Sequence, residues 1–378
     1  MAKIELINIS KEFELSSPFF LNPFGVFLKT KNNRESNNTI GYKKSAFFIE
    51  NLNLTIPDAK IMVILGPTGC GKTTILKIIA GLIQPDSGEV KYDGINMEDS
   101  LPRDRKIGMV FQDYALYPHF TSKSNVLSYF LFKKKTPELK EIANEKFKKT
   151  SELLGVDITY LMDRLPNHLS GGEKQRVAIG RCITREPVLF LLDEPFSNLD
   201  QKLKEKYRFN LKILLRHFNI TTVYVTHDQQ EAYIFADLIT IMNKGRIEQV
   251  GTFEDIYNKP NNIFVAEFLN PDQDTQAINL IDGEEIFDNP KNVIIGVRPE
   301  DIEIKGEKNK NYIKGNIIDS RNIILKKKII ATIGINKNVV YAQIPFKKDL
   351  SLENPVYLRF KKYLYFDKKS GQRISSFS

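Results

Sequence analysis

Three short stretches of this chain carry residue types able to handle phosphate groups and water. The first is Gly66-Pro67-Thr68-Gly69-Cys70-Gly71-Lys72-Thr73-Thr74, a Gly-x4-Gly-Lys-Thr pattern without a gap. Glycines let backbone N–H groups turn inward around phosphate oxygens, a following helix adds the positive end of its dipole, and Lys72 reaches the outer phosphates. The Thr73 hydroxyl is suited to Mg²⁺. The second stretch is Asp193-Glu194, adjacent carboxylates that close an apolar run. Asp193 can hold Mg²⁺ directly or through water, which leaves Glu194 to accept a proton from an attacking water. The third, Leu169-Ser170-Gly171-Gly172-Glu173, opens a helix with a serine and paired glycines. Taken alone it is a helix cap, and also a second place where N–H groups face an anion.

The flanking patterns indicate what must hold these residues. Ile61-Met62-Val63-Ile64-Leu65 precedes the glycine-rich loop and Ile75-Leu76-Lys77-Ile78-Ile79-Ala80 follows it, which reads as strand, loop, helix. Val188-Leu189-Phe190-Leu191-Leu192 is a continuous apolar run suited to a strand buried on both faces. A helix over 202–218 then leads to the strand Thr222-Val223-Tyr224-Val225-Thr226. Strands alternating with helices call for a parallel, three-layer α/β core, in which ligands bind at the carboxyl ends of the strands. Residues 3–9 and 46–56 alternate as half-buried strands, separated by an insertion over about 14–45 whose first half, 18–28, is apolar. Residues 121–165 read as helical. Their clearest amphipathic segment is 140–154, with Ile142, Phe147, Leu153 and Leu154 on one side. Beyond Asn270 short strands recur at 293–297, 311–319, 328–335, 338–343 and 356–360 without a helical period, the pattern of a small all-β barrel-like domain.

The totals set limits on the possible classes. A chain of 378 residues forms two domains, and 42% hydrophobic with 27% charged residues excludes a disordered class. Two cysteines, Cys70 and Cys182, are too few for a disulfide framework and have no metal-ligand spacing, which suits a reducing compartment. Cys70 lies inside the loop and reads as a small loop residue, not a nucleophile. A net charge of +9 suits an acidic partner, nucleic acid or an anionic membrane face, but a chain rich in Lys, Asn and Ile throughout also acquires such a charge as background. The N-terminus lacks signal organisation and no apolar run reaches membrane-spanning length, so work at a membrane is expected to go through a partner.

The phosphate loop, Leu169-Ser170-Gly171-Gly172, Asp193-Glu194, Ser197-Asn198-Leu199-Asp200 and Thr226-His227-Asp228 occur in an order that resembles the ATP-binding cassette (ABC) ATPases, over roughly residues 3–270. The resemblance implies an α/β P-loop NTPase, a RecA-like core with an N-terminal antiparallel β region and a helical subdomain over about 113–182. A C-terminal OB-like regulatory domain over 271–378 follows. It implies ATP as substrate with Mg²⁺ held by Thr73, Gln112 and Asp193. It also implies a head-to-tail dimer in which Ser170, Gly171 and Gly172 bind the γ-phosphate seated in the other copy's loop, with Asp200 among the ATP-binding residues. Gln112 would contact the ion and the water and sense a transmembrane partner, His227 would brace the γ-phosphate and Glu194, and Phe13 would stack on adenine. The implied partners are two permease subunits at the cytoplasmic face of a membrane and, indirectly, a solute-binding protein. No nucleic acid is expected.

Gly296-Val297-Arg298-Pro299-Glu300-Asp301 resembles the start of the regulatory OB-like domain of importer ATPases, and the segment 365–374 resembles the ending common in the sugar and glycerol-3-phosphate importer branch, of the maltose-importer type. Tyr114-Ala115-Leu116-Tyr117-Pro118-His119 is worded as in polyamine and iron importers, which stand as the alternative. A soluble ABC protein acting on nucleic acid is the alternative from another class. Three departures stand out. Glu173 occupies a position where glutamine is usual, Asp58-Ala59-Lys60 replaces a glycine-bearing turn, and the insertion separates Phe13 from the rest of the cassette.

Overall fold

The computed structural model describes residues 2–14, 45–131, 133, 136–153, 161–197, 199, 201–285, 292–305, 312–346 and 355–374. Almost all of the 14–45 insertion lies outside them, as do Asn198, Leu154 and Asp200. The described residues form two compact units, Met1–Thr252 and Phe253–Ser378.

The first unit opens with β1 (Ile4–Glu14), which pairs antiparallel with β2 (Ser45–Ile56) from Ile4↔Ile56 to Glu14↔Ser45. Alternation decides the faces: Ile4, Leu6, Leu52, Leu54 and Ile56 are buried while Glu5 and Thr55 point away from the core. β3 (Ile61–Leu65) is buried along its whole length and runs into α1 (Lys72–Ile79). β4 (Ser87–Tyr92) and β5 (Ile95–Asn96) complete an antiparallel sheet of order β2-β1-β4-β5. After β6 (Ile107–Val110) comes a helical section: α2 (Ser122–Val126), α3 (Ser128–Leu131), α4 (Pro137–Leu153) and α5 (Gly171–Ile183). Then follow β7 (Leu189–Asp193), α6 (Gln201–Phe218), β8 (Thr221–Thr226), α7 (Gln229–Phe235), β9 (Leu238–Asn243) and β10 (Arg246–Gly251). The main sheet has the order β10-β9-β3-β8-β7-β6, parallel from β9 to β6 with β10 added antiparallel.

The expected parallel core is present, and its details differ from the sequence reading in two places and account for a departure noted there at Ala59. α4 buries Ala143 and packs Leu139 and Phe147, at spacings of four, against Leu127 and Phe130, while Ile142 is exposed. The β9–β10 hairpin was not anticipated; its signal was Lys244-Gly245, both in the left-handed region at φ 44° and 79°. Ala59 takes the left-handed conformation (φ 55°) that the missing glycine would have adopted. Its N–H donates to Thr221 Oγ1 (2.9 Å), which in turn donates to Asp58 Oδ1 (3.1 Å), so two local bonds support a backbone costly for alanine.

The second unit begins with α8 (Phe253–Asn258) and α9 (Ile263–Phe268). β11 (Asn279–Asp282), β12 (Val293–Val297), β13 (Ile302–Lys305), β14 (Ile313–Ile323), β15 (Lys328–Ile335), β16 (Asn338–Pro345), β17 (Val356–Phe360), β18 (Leu364–Asp367) and β19 (Arg373–Ile374) follow. They make sheets of order β11-β12-β18-β19 and β13-β17-β14-β15-β16, whose inward residues share one core that includes Ile295, Val297, Ile304, Ile333, Ala342 and Leu358. The all-β reading holds for the strands, and β11, β13, β18 and β19 add to it.

By compactness the chain divides before Phe253 and not at Asn270, so α8 and α9 belong with the strands. The reason is Arg298, 5% exposed, whose guanidinium donates to the carbonyl oxygens of Tyr257 (2.9 Å), Ala266 (3.2 Å) and Ala277 (2.8 Å) and lies 3.7 Å from the Tyr257 ring. A buried charge satisfied by helix-end carbonyls ties both helices to the strand that precedes it. Replacing it orphans those carbonyls. Arg298→Ala is expected to destabilise the second unit by about 3 kcal/mol, read as lost hydrogen-exchange protection in β12 and α9 with β3 and β8 unaffected.

Candidate active site

Parallel pairing brings the sequence motifs to one edge. Leu65 of β3 lies opposite Thr226 of β8, Asp193 of β7 opposite Val225 of β8, and Val110 of β6 opposite Leu192 of β7. The next residues out of these neighbouring strands are therefore Gly66, His227, Glu194 and Phe111-Gln112. All lie at the carboxyl ends, where open α/β sheets bind ligands.

The loop after β3 is tight for reasons that differ by position. A Cβ at Gly66 would stand 2.3 Å from the Met242 carbonyl oxygen and 2.7 Å from Cys70 Sγ, so only glycine fits beside β9. Gly71, the residue capping α1, has φ 107°, which side chains rarely adopt. Lys72 is 5% exposed, and its ammonium donates to the carbonyls of Gly66 (2.8 Å) and Pro67 (2.9 Å), inside the loop. Burial pushes the Cys70 thiol above its ordinary range, with the Lys72 charge pulling the other way. A protonated, buried thiol is a packing group and not a nucleophile.

Two side-chain pairs complete the edge. Thr73 Oγ1 donates to Asp193 Oδ1 at 2.8 Å, joining the first turn of α1 to the end of β7. Glu194 Oε2 lies 3.0 Å from His227 Nδ1. Glu194 sits in the left-handed region at φ 44°, an uncommon conformation for a non-glycine residue and one often found where function requires it. It is held there by its N–H donating to Val225 O (2.9 Å) and by its carbonyl accepting from Ser197 N (3.1 Å) and Ser197 Oγ (3.0 Å). His227 is open to solvent at 55% exposure, while Glu194 is largely covered. An imidazole bearing a proton on Nδ1 donates to that carboxylate and orients it.

Ser170 caps α5 with a complete capping box: its Oγ accepts from Glu173 N (3.4 Å) and its N–H donates to Glu173 Oε2 (2.7 Å). The glutamate that replaces the usual glutamine thus serves the cap, and Arg164 lies 3.9 Å from its other oxygen. A Cβ at Gly172 would come within 2.2 Å of the Tyr207 ring, so α6 packs directly on the α5 backbone. At its other end α5 holds the segment after Gln112. Arg181 donates to the carbonyls of Tyr114 (3.0 Å) and Ala115 (2.6 Å), both residues being left-handed at φ 64° and 42°. Gln112 itself is exposed.

Phe13 lies on β1 at 7% exposure, beside Lys11, whose ammonium pairs with Asp86 at 2.6 Å. A base could reach the face of that ring only after its cover shifts. Asp200 lies outside the described residues. A buried cluster that sequence reasoning missed stands behind His227: Arg208 of α6, Glu231 of α7 and Tyr224 of β8. A Glu four residues after His227 was visible, but its burial was not.

A protein-family model described as ABC transporter matches residues 49–197. The sn-glycerol-3-phosphate import ATP-binding protein UgpC of Bartonella quintana is 49% identical over 228 residues, 60% of this chain and 64% of its own length. The protein of the same name from Bartonella bacilliformis is 45% identical over 269 residues, 69% of this chain and 75% of its own. The trehalose import ATP-binding protein SugC of Mycobacterium tuberculosis is 43% identical over 275 residues, 68% of each chain. Among solved structures, the dimeric structure of MJ0796, a bacterial ABC transporter cassette, covers 66% of this chain and 98% of its own at 30% identity and a TM-score of 0.51. A post-hydrolysis state of the same cassette bound to ADP and Pi aligns with a TM-score of 0.50.

Burial pushes the Asp193 carboxyl above the usual carboxylate range, the Thr73 hydrogen bond pulls it down, and Glu194 adds a further push upward. A raised pKa means that the folded chain holds this proton more tightly than the unfolded chain. Stability therefore falls as pH rises through the window above the ordinary Asp value, and the ionised group is a net cost at neutral pH. Asp193→Asn, which keeps an acceptor for Thr73, is expected to raise the thermal unfolding midpoint of the nucleotide-free protein at pH 7. The gain should shrink as pH drops toward the ordinary Asp value and vanish below it; thermal melts at a series of pH values check both.

Proposed function

This chain belongs to the ABC transporter family of ATP-binding, ATP-hydrolysing proteins, and on that footing we propose that it is the energy-coupling subunit of an importer for a carbohydrate or glycerol-3-phosphate. The observation that carries this reading is the convergence of Lys72, Thr73, Asp193, Glu194, His227 and Gln112 at the ends of four consecutive parallel strands. The names of these relatives, for glycerol-3-phosphate and trehalose import, support the solute class over polyamines or iron.

The chemistry follows from the residues. Lys72 and the N–H groups of the loop hold the β- and γ-phosphates of ATP, with the α1 N-terminus behind them. Among the described residues no group of three His, Cys, Asp or Glu could hold an ion alone. The hard oxygen donors present, Thr73 Oγ1 and Asp193 Oδ1 at 2.8 Å, with Gln112 just past the end of the neighbouring strand β6, fit an ion that also takes phosphate oxygens. Bound with ATP, Mg²⁺ supplies neutralisation of charge on the phosphate oxygens. Glu194 accepts a proton from the attacking water, and His227 keeps its carboxylate oriented while facing the γ-phosphate.

Ser170 uses an oxygen lone pair for its cap, so its hydroxyl proton is left to donate to an anion, together with the N–H groups that open α5. In the proposed assembly that anion is the γ-phosphate of ATP in a second copy of this chain, so that hydrolysis requires two copies. The pull on α5 passes through Arg181 to the Gln112 segment. Beside that segment is an open groove of about 740 Å³ lined by Phe111, Tyr117 and Tyr129 with Arg103, Lys133 and Arg181. We assign it to a segment of a permease subunit, and on that reading the chain works at the cytoplasmic face of a membrane. No helix among the described residues is long and apolar enough to cross a membrane by itself.

Glu194→Gln is expected to bind ATP and to hold the two copies together while turnover falls about a thousandfold. Near-native turnover would overturn the role given to Glu194. In the reconstituted complex, a sugar or glycerol-3-phosphate delivered by its binding protein should stimulate the wild-type rate; stimulation by a polyamine or iron instead would overturn the solute class.

A further inference from the structure

The buried cluster behind His227 is charged, and the steps of ATP hydrolysis described above do not use it. Arg208 NH2, on a side chain 2% exposed, donates to Glu231 Oε1 (3.0 Å) and to Asp228 Oδ2 (2.5 Å). The other oxygen of Glu231 accepts from Tyr224 OH (2.8 Å) and Thr226 Oγ1 (2.7 Å). Thr226 Oγ1 itself accepts from the N–H of Asp228 at 3.0 Å. Asp228 Oδ1 meanwhile caps α7 through Gln230 N (2.9 Å) and Glu231 N (3.4 Å).

The residues on either side of His227 are therefore tied to the same buried pair. Thr226 is anchored through its hydroxyl to Glu231, and Asp228 is anchored through its carboxylate to Arg208. One bond, from Asp228 N to Thr226 Oγ1, spans the two residues across His227 itself. The His227 side chain, by contrast, is more than half exposed. Its direction toward Glu194 is set by the backbone turn that carries it, and that turn is fixed from within. The Tyr224 hydroxyl, held protonated by burial and by the facing Glu231, donates into the same carboxylate.

We propose that Thr226, with Glu231 and Arg208 behind it, is the positioning residue that aims His227 at Glu194. The inference rests on the active-site reading of His227 and Glu194 given above. The network costs desolvation that a structural role alone would not need, since apolar residues could pack α6 on α7 and β8. It places a hydrogen-bonded frame behind an exposed imidazole, where an error of an ångström is costly to the reaction.

The test is steady-state ATP hydrolysis by the full-length chain together with ATP affinity and unfolding temperature. Thr226→Val keeps the β-branched shape of the strand residue and removes only the hydroxyl. It is expected to lower kcat about a hundredfold with KM for ATP unchanged, and to lower the unfolding temperature by no more than loss of the Thr226 hydrogen bonds accounts for. Thr226→Ser, which restores the hydroxyl, should recover turnover. In a His227→Ala background the Thr226→Val substitution should add nothing further, because the residue it positions is gone. Native turnover in Thr226→Val beside a strong loss in His227→Ala would overturn the positioning role alone. Native turnover in His227→Ala would overturn the reading of the site. A loss in Thr226→Val that comes with equally weakened ATP binding and is not recovered in Thr226→Ser would also overturn the proposal, since that is what general disruption produces.

Discussion

The functional edge of this protein depends on in-register parallel pairing of β3, β8, β7 and β6. β3, β7 and β8 are buried along their whole lengths, and the strands end at the same level because backbone hydrogen bonds fix Leu65 opposite Thr226 and Asp193 opposite Val225. Loops separated by up to about half the chain then leave the sheet side by side. A slip of one residue in β7 would turn Asp193 away from Thr73 and remove Glu194 from His227, because side chains alternate with a period of two. Register is thus where folding and chemistry meet in this molecule.

Around that edge the polar groups are placed by short local devices. The left-handed Glu194 is bonded to β8 through its N–H and to Ser197 through its carbonyl. Ser170 and Glu173 close a capping box, and Arg181 holds two consecutive left-handed carbonyls. Each device satisfies backbone groups that would otherwise be orphaned at a strand or helix end. Each also brings a group to the edge: a carboxylate at Glu194, a hydroxyl at Ser170, an exposed amide at Gln112. In this site the satisfaction of the backbone and the display of reactive groups are achieved by the same bonds.

The second unit follows a different principle. Its strands alternate, its core is shared between two antiparallel sheets, and the buried Arg298 ties in two helices whose short lengths gave no periodic signal. Six-residue helices such as α8 and α9 have too few turns for an amphipathic pattern and are stable only in tertiary contact. This is why the boundary read from the sequence fell near Asn270 while compactness divides the chain before Phe253.

By itself the sequence determined the strand–loop–helix at Gly66 to Thr74, the buried parallel strands, the order of the motifs and the all-β character of the C-terminal region. These are local properties: glycine spacing, apolar runs and alternation survive without knowledge of neighbours. The tertiary structure decided the rest. It showed that Thr73 meets Asp193 and Glu194 meets His227, that Phe13 is covered on β1, that Ile142 faces solvent while Leu139 packs, and that Glu231 and Arg208 are paired in the interior. A charge in a sequence does not declare whether it is solvated. Only the packing of α6 and α7 against β8 removed these from water, and their pairing there is what compensates for the loss.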